Sequence, residues 1–247
     1  MKLSLAFLSA TLFAFTLTSN ADELTLTTEK GFELKASYYQ SHKTSNRAVL
    51  LLHQCNYNRT MYNDIGKELA KQGIHALSLD FRGFGGSTNA EFSVEKAQAL
   101  PREARRKAWS KISENWPSDV QLAYNHLTSK LSDNGLVGVL GASCGGSQAI
   151  TLAENNPIKV IGFFSSGQRE ENIERYKSTL AGLPTLIIAS EEDTGTYESA
   201  QKLFTATTHE NSKFIAYKGS DHGYPLLDKD KQLASYIAGW LDSQLSK

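Results

Sequence analysis

The chain has 247 residues, with 26 Lys and Arg balanced by 26 Asp and Glu, so its formal net charge is zero. Such a chain carries no global field for nucleic acid or an anionic membrane. Its length and 40% hydrophobic content suit one packed domain and exclude a fibrous or disordered protein.

Taken in chain order, Lys2 precedes an apolar and hydroxylic run, Leu3 to Leu17, and Ser19-Asn20-Ala21 supplies small residues for cleavage. That layout predicts a secretory signal peptide over residues 1–21 and a mature domain over 22–247, in the periplasm or outside the cell. The run falls short of the ~20 residues a spanning helix needs, so no stable membrane anchor is expected after cleavage. Leu24–Thr28 and Phe32–Tyr38 alternate apolar with polar around Lys30-Gly31 and predict an antiparallel hairpin. Ala48–His53, Ile74–Leu79, Leu136–Leu140, Val160–Phe164, Thr185–Ala189 and Phe214–Tyr217 are apolar runs of strand length. Between them, helical spacing marks Tyr62–Gln72, Ser118–Lys130 (with Ser118 and Gln121 as a capping box), Gly145–Glu154, Tyr197–Thr205 and Lys229–Gln244. Pro101–Asn115 reads as a charged helical excursion over the sheet's rim; its basic run, Arg102 to Lys107, reads as a solvated face. Buried strands alternating with helices predict an α/β fold: a mostly parallel twisted sheet with helices on both faces and the hairpin at an antiparallel edge.

The chemistry centres on Gly141-Ala142-Ser143-Cys144-Gly145-Gly146, directly after one predicted strand and opening a helix. G-x-S-x-G in that setting is a nucleophile elbow: a tight turn exposes the serine and the helix N-terminus favours an anion beside it. Shifted by one residue, the same motif offers Cys144 as nucleophile, although glycine at 141 and 145 fits Ser143 better. Asp193 follows the Thr185–Ala189 strand and His222 follows the Phe214–Tyr217 strand. The order Ser, Asp, His and the placement at carboxyl ends of strands fit a base, His222, oriented by an acid, Asp193. Glu191 and Glu192 are spare candidates for the acid. The oxyanion hole needs two N–H donors, assigned to the backbones of Cys144 and Cys55, with His53 shaping the loop. No Cys/His spacing indicates a metal site.

These residues resemble the α/β-hydrolase superfamily, in particular its dienelactone-hydrolase-like and small esterase or peptidase-like members. The resemblance runs from about Val49 to His222. It is carried by Leu51-Leu52-His53-Gln54, Asp80-Phe81-Arg82-Gly83-Phe84-Gly85-Gly86-Ser87, the elbow, Asp193 and Asp221-His222-Gly223. It implies hydrolysis of an ester, thioester, lactone or amide of a small-molecule acyl substrate, without a metal or organic cofactor, and gives Asp80–Ser87 a scaffold role. One departure stands out: the family usually has His-Gly where this chain has His53-Gln54, and Gln54 is expected to reshape the oxyanion hole.

Outside the family pattern, the two assigned oxyanion donors are the chain's only cysteines. Two donors to one oxygen are close neighbours, so a Cys55–Cys144 disulfide is one expectation and a pair of free buried thiols the other. The short segment 165–184 leaves no room for a separate cap domain, and the pocket is expected to be open. Loops Gln168–Tyr176 and Phe84–Leu100 are expected to contribute to it, with Asn56, Tyr57 and Tyr62 as candidates for the acyl side and Tyr224 for the entrance. Two functional readings follow: an exported serine hydrolase of small acyl compounds, or a non-catalytic or redox-sensing binding protein of the same fold built around the cysteine pair.

Overall fold

The computed structural model describes residues 21–246. The expected signal peptide, save Ala21, lies outside the described residues. Eight strands form one sheet: β1 (Asp22–Thr27), β2 (Glu33–Tyr39), β3 (Arg47–Leu52), β4 (His75–Leu79), β5 (Leu136–Ala142), β6 (Ile158–Phe164), β7 (Thr185–Ser190) and β8 (Lys213–Tyr217), in the order β1-β2-β4-β3-β5-β6-β7-β8. β1 pairs antiparallel with β2 and β2 with β4; every later pairing is parallel. The predicted hairpin therefore forms the antiparallel edge.

The central strands are apolar on both faces because both faces are covered. Along β3, Ala48, Leu50 and Leu52 enter one core and Val49 and Leu51 the other, the two-residue period of a strand. The first core is closed by α4 (Trp116–Thr128), α5 (Cys144–Asn155), α6 (Glu170–Thr179) and α7 (Thr196–Ala206), through residues such as Val120, Ala149, Tyr176 and Leu203. The second is closed by α1 (Asn63–Lys71) and α9 (Leu233–Leu245), through Ile65, Leu69, Ile237 and Leu241. Two short helices, α2 (Val94–Gln98) and α3 (Arg102–Ser113), form the excursion between β4 and α4; no separate cap domain is present among the described residues.

Several predicted boundaries are corrected. The Ser118 capping box does not form: α4 starts at Trp116 with Asn115 before it and Pro117 in its first turn, and the Ser118 hydroxyl donates to the Asn115 carbonyl (2.8 Å). Segment 168–176 is not a loop, since α6 occupies most of it. The helix expected over 229–244 is α9, which starts only at Leu233; a separate short helix, α8 (Tyr224–Lys229), precedes it, and between the two Asp230 accepts from the Tyr217 hydroxyl (2.6 Å).

The scaffold role of Asp80–Ser87 has a physical basis. Asp80 is fully buried, accepts from the N–H groups of Arg59 (2.7 Å) and Gly86 (2.8 Å), and pairs with the Arg59 guanidinium (2.5 Å). Arg82 and Asp119 form a second buried pair (2.7 Å), with the Arg82 guanidinium 4.2 Å from the Phe32 ring centroid. A buried carboxylate is tolerated when it is paired and hydrogen-bonded in this way.

Candidate active site

β5 runs into Ser143, whose φ of 49° and ψ of −118° fall where side-chain-bearing residues are rare. Neighbours fix that conformation: the Ser143 N–H donates to the Phe164 carbonyl (3.0 Å), while its carbonyl accepts from the Ser166 hydroxyl (2.6 Å) and the Gly146 N–H (3.0 Å). A Cβ at Gly141 would lie 2.4 Å from the Gly145 carbonyl oxygen, and one at Gly145 would lie 2.3 Å from that of Leu52. Both glycines of the motif are thus required by backbone packed against backbone. The left-handed turn centres on Ser143, not Cys144, and the Cys144 sulfur is bonded to Cys55, so Cys144 offers no thiolate. This removes the cysteine alternative.

The cysteine pair is bridged, with Cα atoms 5.8 Å apart and 89 residues between them in sequence. The bond joins the loop after β3 to the first residue of α5, two segments brought side by side by the β3–β5 pairing. Among the described residues, no protein group accepts from the N–H of Cys55 or of Cys144, and Cys144 opens α5, where the first N–H groups of a helix have no partner within it.

Asp193 and His222 meet, with His222 Nδ1 2.6 Å from Asp193 Oδ2. The ionised carboxylate only accepts, so Nδ1–H donates and Nε2 is left as the acceptor. Three bonds zip the two loops together: the Glu191 N–H to the Tyr217 carbonyl (2.9 Å), the Glu192 N–H to the Gly219 carbonyl (2.9 Å), and the Ser190 hydroxyl to the Asp221 carbonyl (2.6 Å). Glu191 instead pairs with Lys218 (2.5 Å) and the Asp221 carboxylate with Lys229 (2.7 Å), so neither competes for His222. No hydrogen bond joins the Ser143 hydroxyl to His222 among the described residues; such contacts often tighten only when substrate is bound.

His53 is fully buried. Its Nε2 accepts from the Phe81 N–H (3.0 Å), and its Nδ1–H donates to the Gln54 carbonyl (2.7 Å). Burial pushes its pKa down to about 4 against the ordinary 6.5, with Gln54 and Asp80 opposing. It is a neutral girder for the loop, as expected. The unfolded chain therefore binds this proton more tightly, and the fold is penalised as pH falls from 6.5 towards 4. The penalty amounts to about 3 kcal/mol once both pKa values are passed. Denaturant unfolding across that window should show this slope in the native protein and lack its share in His53→Gln, the difference isolating His53 from the carboxylates.

Tyr62 is not on the acyl side: it is fully buried and its hydroxyl donates to the Leu52 carbonyl (3.2 Å). Tyr57 and Tyr224 stack at 4.3 Å between centroids beside the histidine loop. A cleft of about 460 Å³ opens beside the loop after β3, lined by Cys55, Asn56, Tyr57, Phe84 and Gln98 among others. Gln54 carries no strained backbone; among the described residues, positive φ outside glycine is confined to Ser143 and Ser165. Its side chain turns away from the elbow to the histidine loop, where the Tyr224 N–H donates to Gln54 Oε1 (2.7 Å). The expectation that Gln54 reshapes the oxyanion hole is therefore replaced by a contact with the histidine loop, and Ser166 and Ser190, which hold the Ser143 and Asp221 carbonyls, carry no motif of their own in the sequence.

A comparison of the sequence with curated proteins finds no match. Among solved structures, the chain is similar in fold to an esterase from Pyrococcus furiosus (16% identity, TM-score 0.67, covering 96% of each chain). It is also similar to the esterase domain of a Rhodothermus marinus protein (16%, TM-score 0.67, 92% of this chain and 100% of the other). A dienelactone hydrolase from Anabaena variabilis matches as well (14%, TM-score 0.63, 93% of this chain and 98% of the other). The model of the serine aminopeptidase S33 family matches residues 43–168, just over half of the chain, a stretch that includes the loop after β3 and the Ser143 turn and ends before Asp193. The protein therefore belongs to the serine aminopeptidase S33 family of hydrolases, on an α/β-hydrolase fold.

Proposed function

We propose that the protein is an exported serine hydrolase that cleaves small esters or related acyl compounds through a covalent acyl-enzyme. The observation that carries this reading is the Asp193–His222 hydrogen bond, on loops that leave the sheet at the same end as the strained Ser143 turn. In the reaction, Ser143 Oγ attacks the acyl carbonyl carbon while its proton passes to His222 Nε2. The carbonyl π electrons move to oxygen, which accepts hydrogen bonds from the N–H groups of Cys144 and Cys55. Asp193 holds the imidazole tautomer and stabilises the imidazolium. Collapse of the tetrahedral adduct expels the alkoxide, which takes the proton from His222. Water then repeats the sequence, with His222 as base, and releases the acid.

The Cys55–Cys144 bond supports placement in an oxidising compartment, in line with the leader-like N-terminus. It also favours a second reading, a redox-sensing binding protein in which reduction frees the loop after β3. Labelling the mature protein with a fluorophosphonate, with and without prior reduction, followed by mass spectrometry of the peptide, separates them. A single adduct on Ser143 is expected. No adduct in either state would leave the binding reading, and an adduct elsewhere would refute the assigned nucleophile.

A further inference from the structure

We infer that Gln54 is a positioning residue that couples the oxyanion loop to the histidine loop and sets the orientation of His222 for proton transfer. The inference rests on the serine-hydrolase reading and deepens it. Gln54 is 1% exposed, although glutamine is usually a surface residue. Its amide spans the histidine loop at three consecutive residues. Oε1 accepts from the Tyr224 N–H (2.7 Å), and Nε2 lies 3.5 Å from the His222 carbonyl, at the limit of a hydrogen bond. Between them the amide fills the space that a side chain on Gly223 would need: a Cβ there would be 1.8 Å from Oε1. A second donor contact, Nε2 to Asn56 Oδ1 (2.5 Å), fixes the amide from its own loop. The amide's direction is set by chemistry, because an N–H such as that of Tyr224 can face only an oxygen.

The placement of Gln54 between two rigid supports gives the contact its effect. Its backbone is held by the buried His53 on one side and by bridged Cys55 on the other. Its side chain therefore transmits the position of the elbow and oxyanion donors to a loop 168–170 residues further on. That loop needs a grip: Gly223, next to the base, has a φ of +70°, and the Asp193 contact holds only one ring nitrogen of His222. Glycine at position 54, the usual family residue, would leave the His222–Tyr224 backbone without this tie. The identity of residue 54 is thus explained by a partner on another loop, and Gly223 by the space the amide fills.

The test uses the whole mature protein, oxidised, and a fluorophosphonate as probe, resolved into kinact and KI. Gln54→Met keeps the length and removes the hydrogen bonds. Its kinact should fall about 10-fold to 100-fold, the scale of a misplaced catalytic group, with KI within about twofold and the melting temperature unchanged. Gln54→Glu keeps the acceptor for Tyr224 and should restore most of kinact. Gly223→Ala collides with Gln54 and should lose far more in the native background than in Gln54→Gly, so the double-mutant cycle should be non-additive. Wild-type kinact in Gln54→Met overturns the inference. If Gln54→Met does not fold, the cycle decides, and additivity there overturns it equally. Failure of the native protein to label at Ser143 refutes the serine-hydrolase reading itself; labelling of native protein and Gln54→Met at equal rates refutes only the role of Gln54.

Discussion

Ser143→Ala should lower kcat/KM on any hydrolysed acyl substrate by about 10⁴-fold or more while leaving the fold intact. In the proposed mechanism the loss is large because the serine is both the attacking group and the source of the proton that His222 accepts; no neighbour replaces it. Cys144 is bonded to Cys55, and Ser166 spends its hydroxyl on the Ser143 carbonyl. The substitution is also gentle. Alanine retains the Cβ already accommodated at φ 49°, and the turn is held through backbone groups rather than the serine side chain. Steady-state kinetics with a melting curve on the same sample checks both halves. Residual activity within tenfold of wild type would place the nucleophile elsewhere. Asp193→Asn should follow the same direction by leaving His222 in the wrong tautomer.

The second large effect belongs to the cysteine bridge. Opening it by Cys55→Ala with Cys144→Ala should cost about 4–5 kcal/mol of stability, the chain-entropy value for a ring of this size. The backbone donors survive the substitution, so the hole loses its fixed spacing rather than its N–H groups. The expected fall in kcat is therefore about 10-fold to 100-fold, below the 10²–10³ typical of a donor removed outright. Denaturant unfolding and kinetics on the double variant measure the two effects separately. An unchanged unfolding midpoint would show that the bridge does not constrain the unfolded chain, and an unchanged kcat that it does not hold the hole.

Much of this was legible in the sequence because the informative residues sit where strand and helix periods change. Leu136–Leu140 is an unbroken apolar run that stops at a small-residue turn, and both its burial and its abrupt end are physical necessities of an elbow. Asp193 and His222 were legible from the apolar strands that precede them. α6 was not, because Glu170–Thr179 buries only Ile173 and Tyr176 and is otherwise polar, leaving little of a stripe to read. α4 was misplaced at its start because Ser118 resembles a cap, whereas Pro117 was already in the first turn. Gln54 was beyond reach for a different reason. Its partners are Tyr224 and His222, and no local pattern reports a side chain whose work is done on a loop 168–170 residues away.

The covalent ring closed by Cys55 and Cys144 holds β4, the α1–α4 helices, β5 and Ser143, whereas Asp193 and His222 lie outside it. A cross-link penalises only those states in which the ring itself is disordered. Partial opening of β7 and β8 leaves the ring closed and gains nothing from the bond, so the protein's resistance to unfolding is divided unevenly between Ser143 and the Asp193–His222 pair. Ser143, the proposed nucleophile, belongs to the reinforced part, and Asp193 and His222, the proposed acid and base, to the part that opens at lower cost. Heat or denaturant would then disconnect proton transfer before it disturbs the serine, and inactivation would precede the loss of the central sheet.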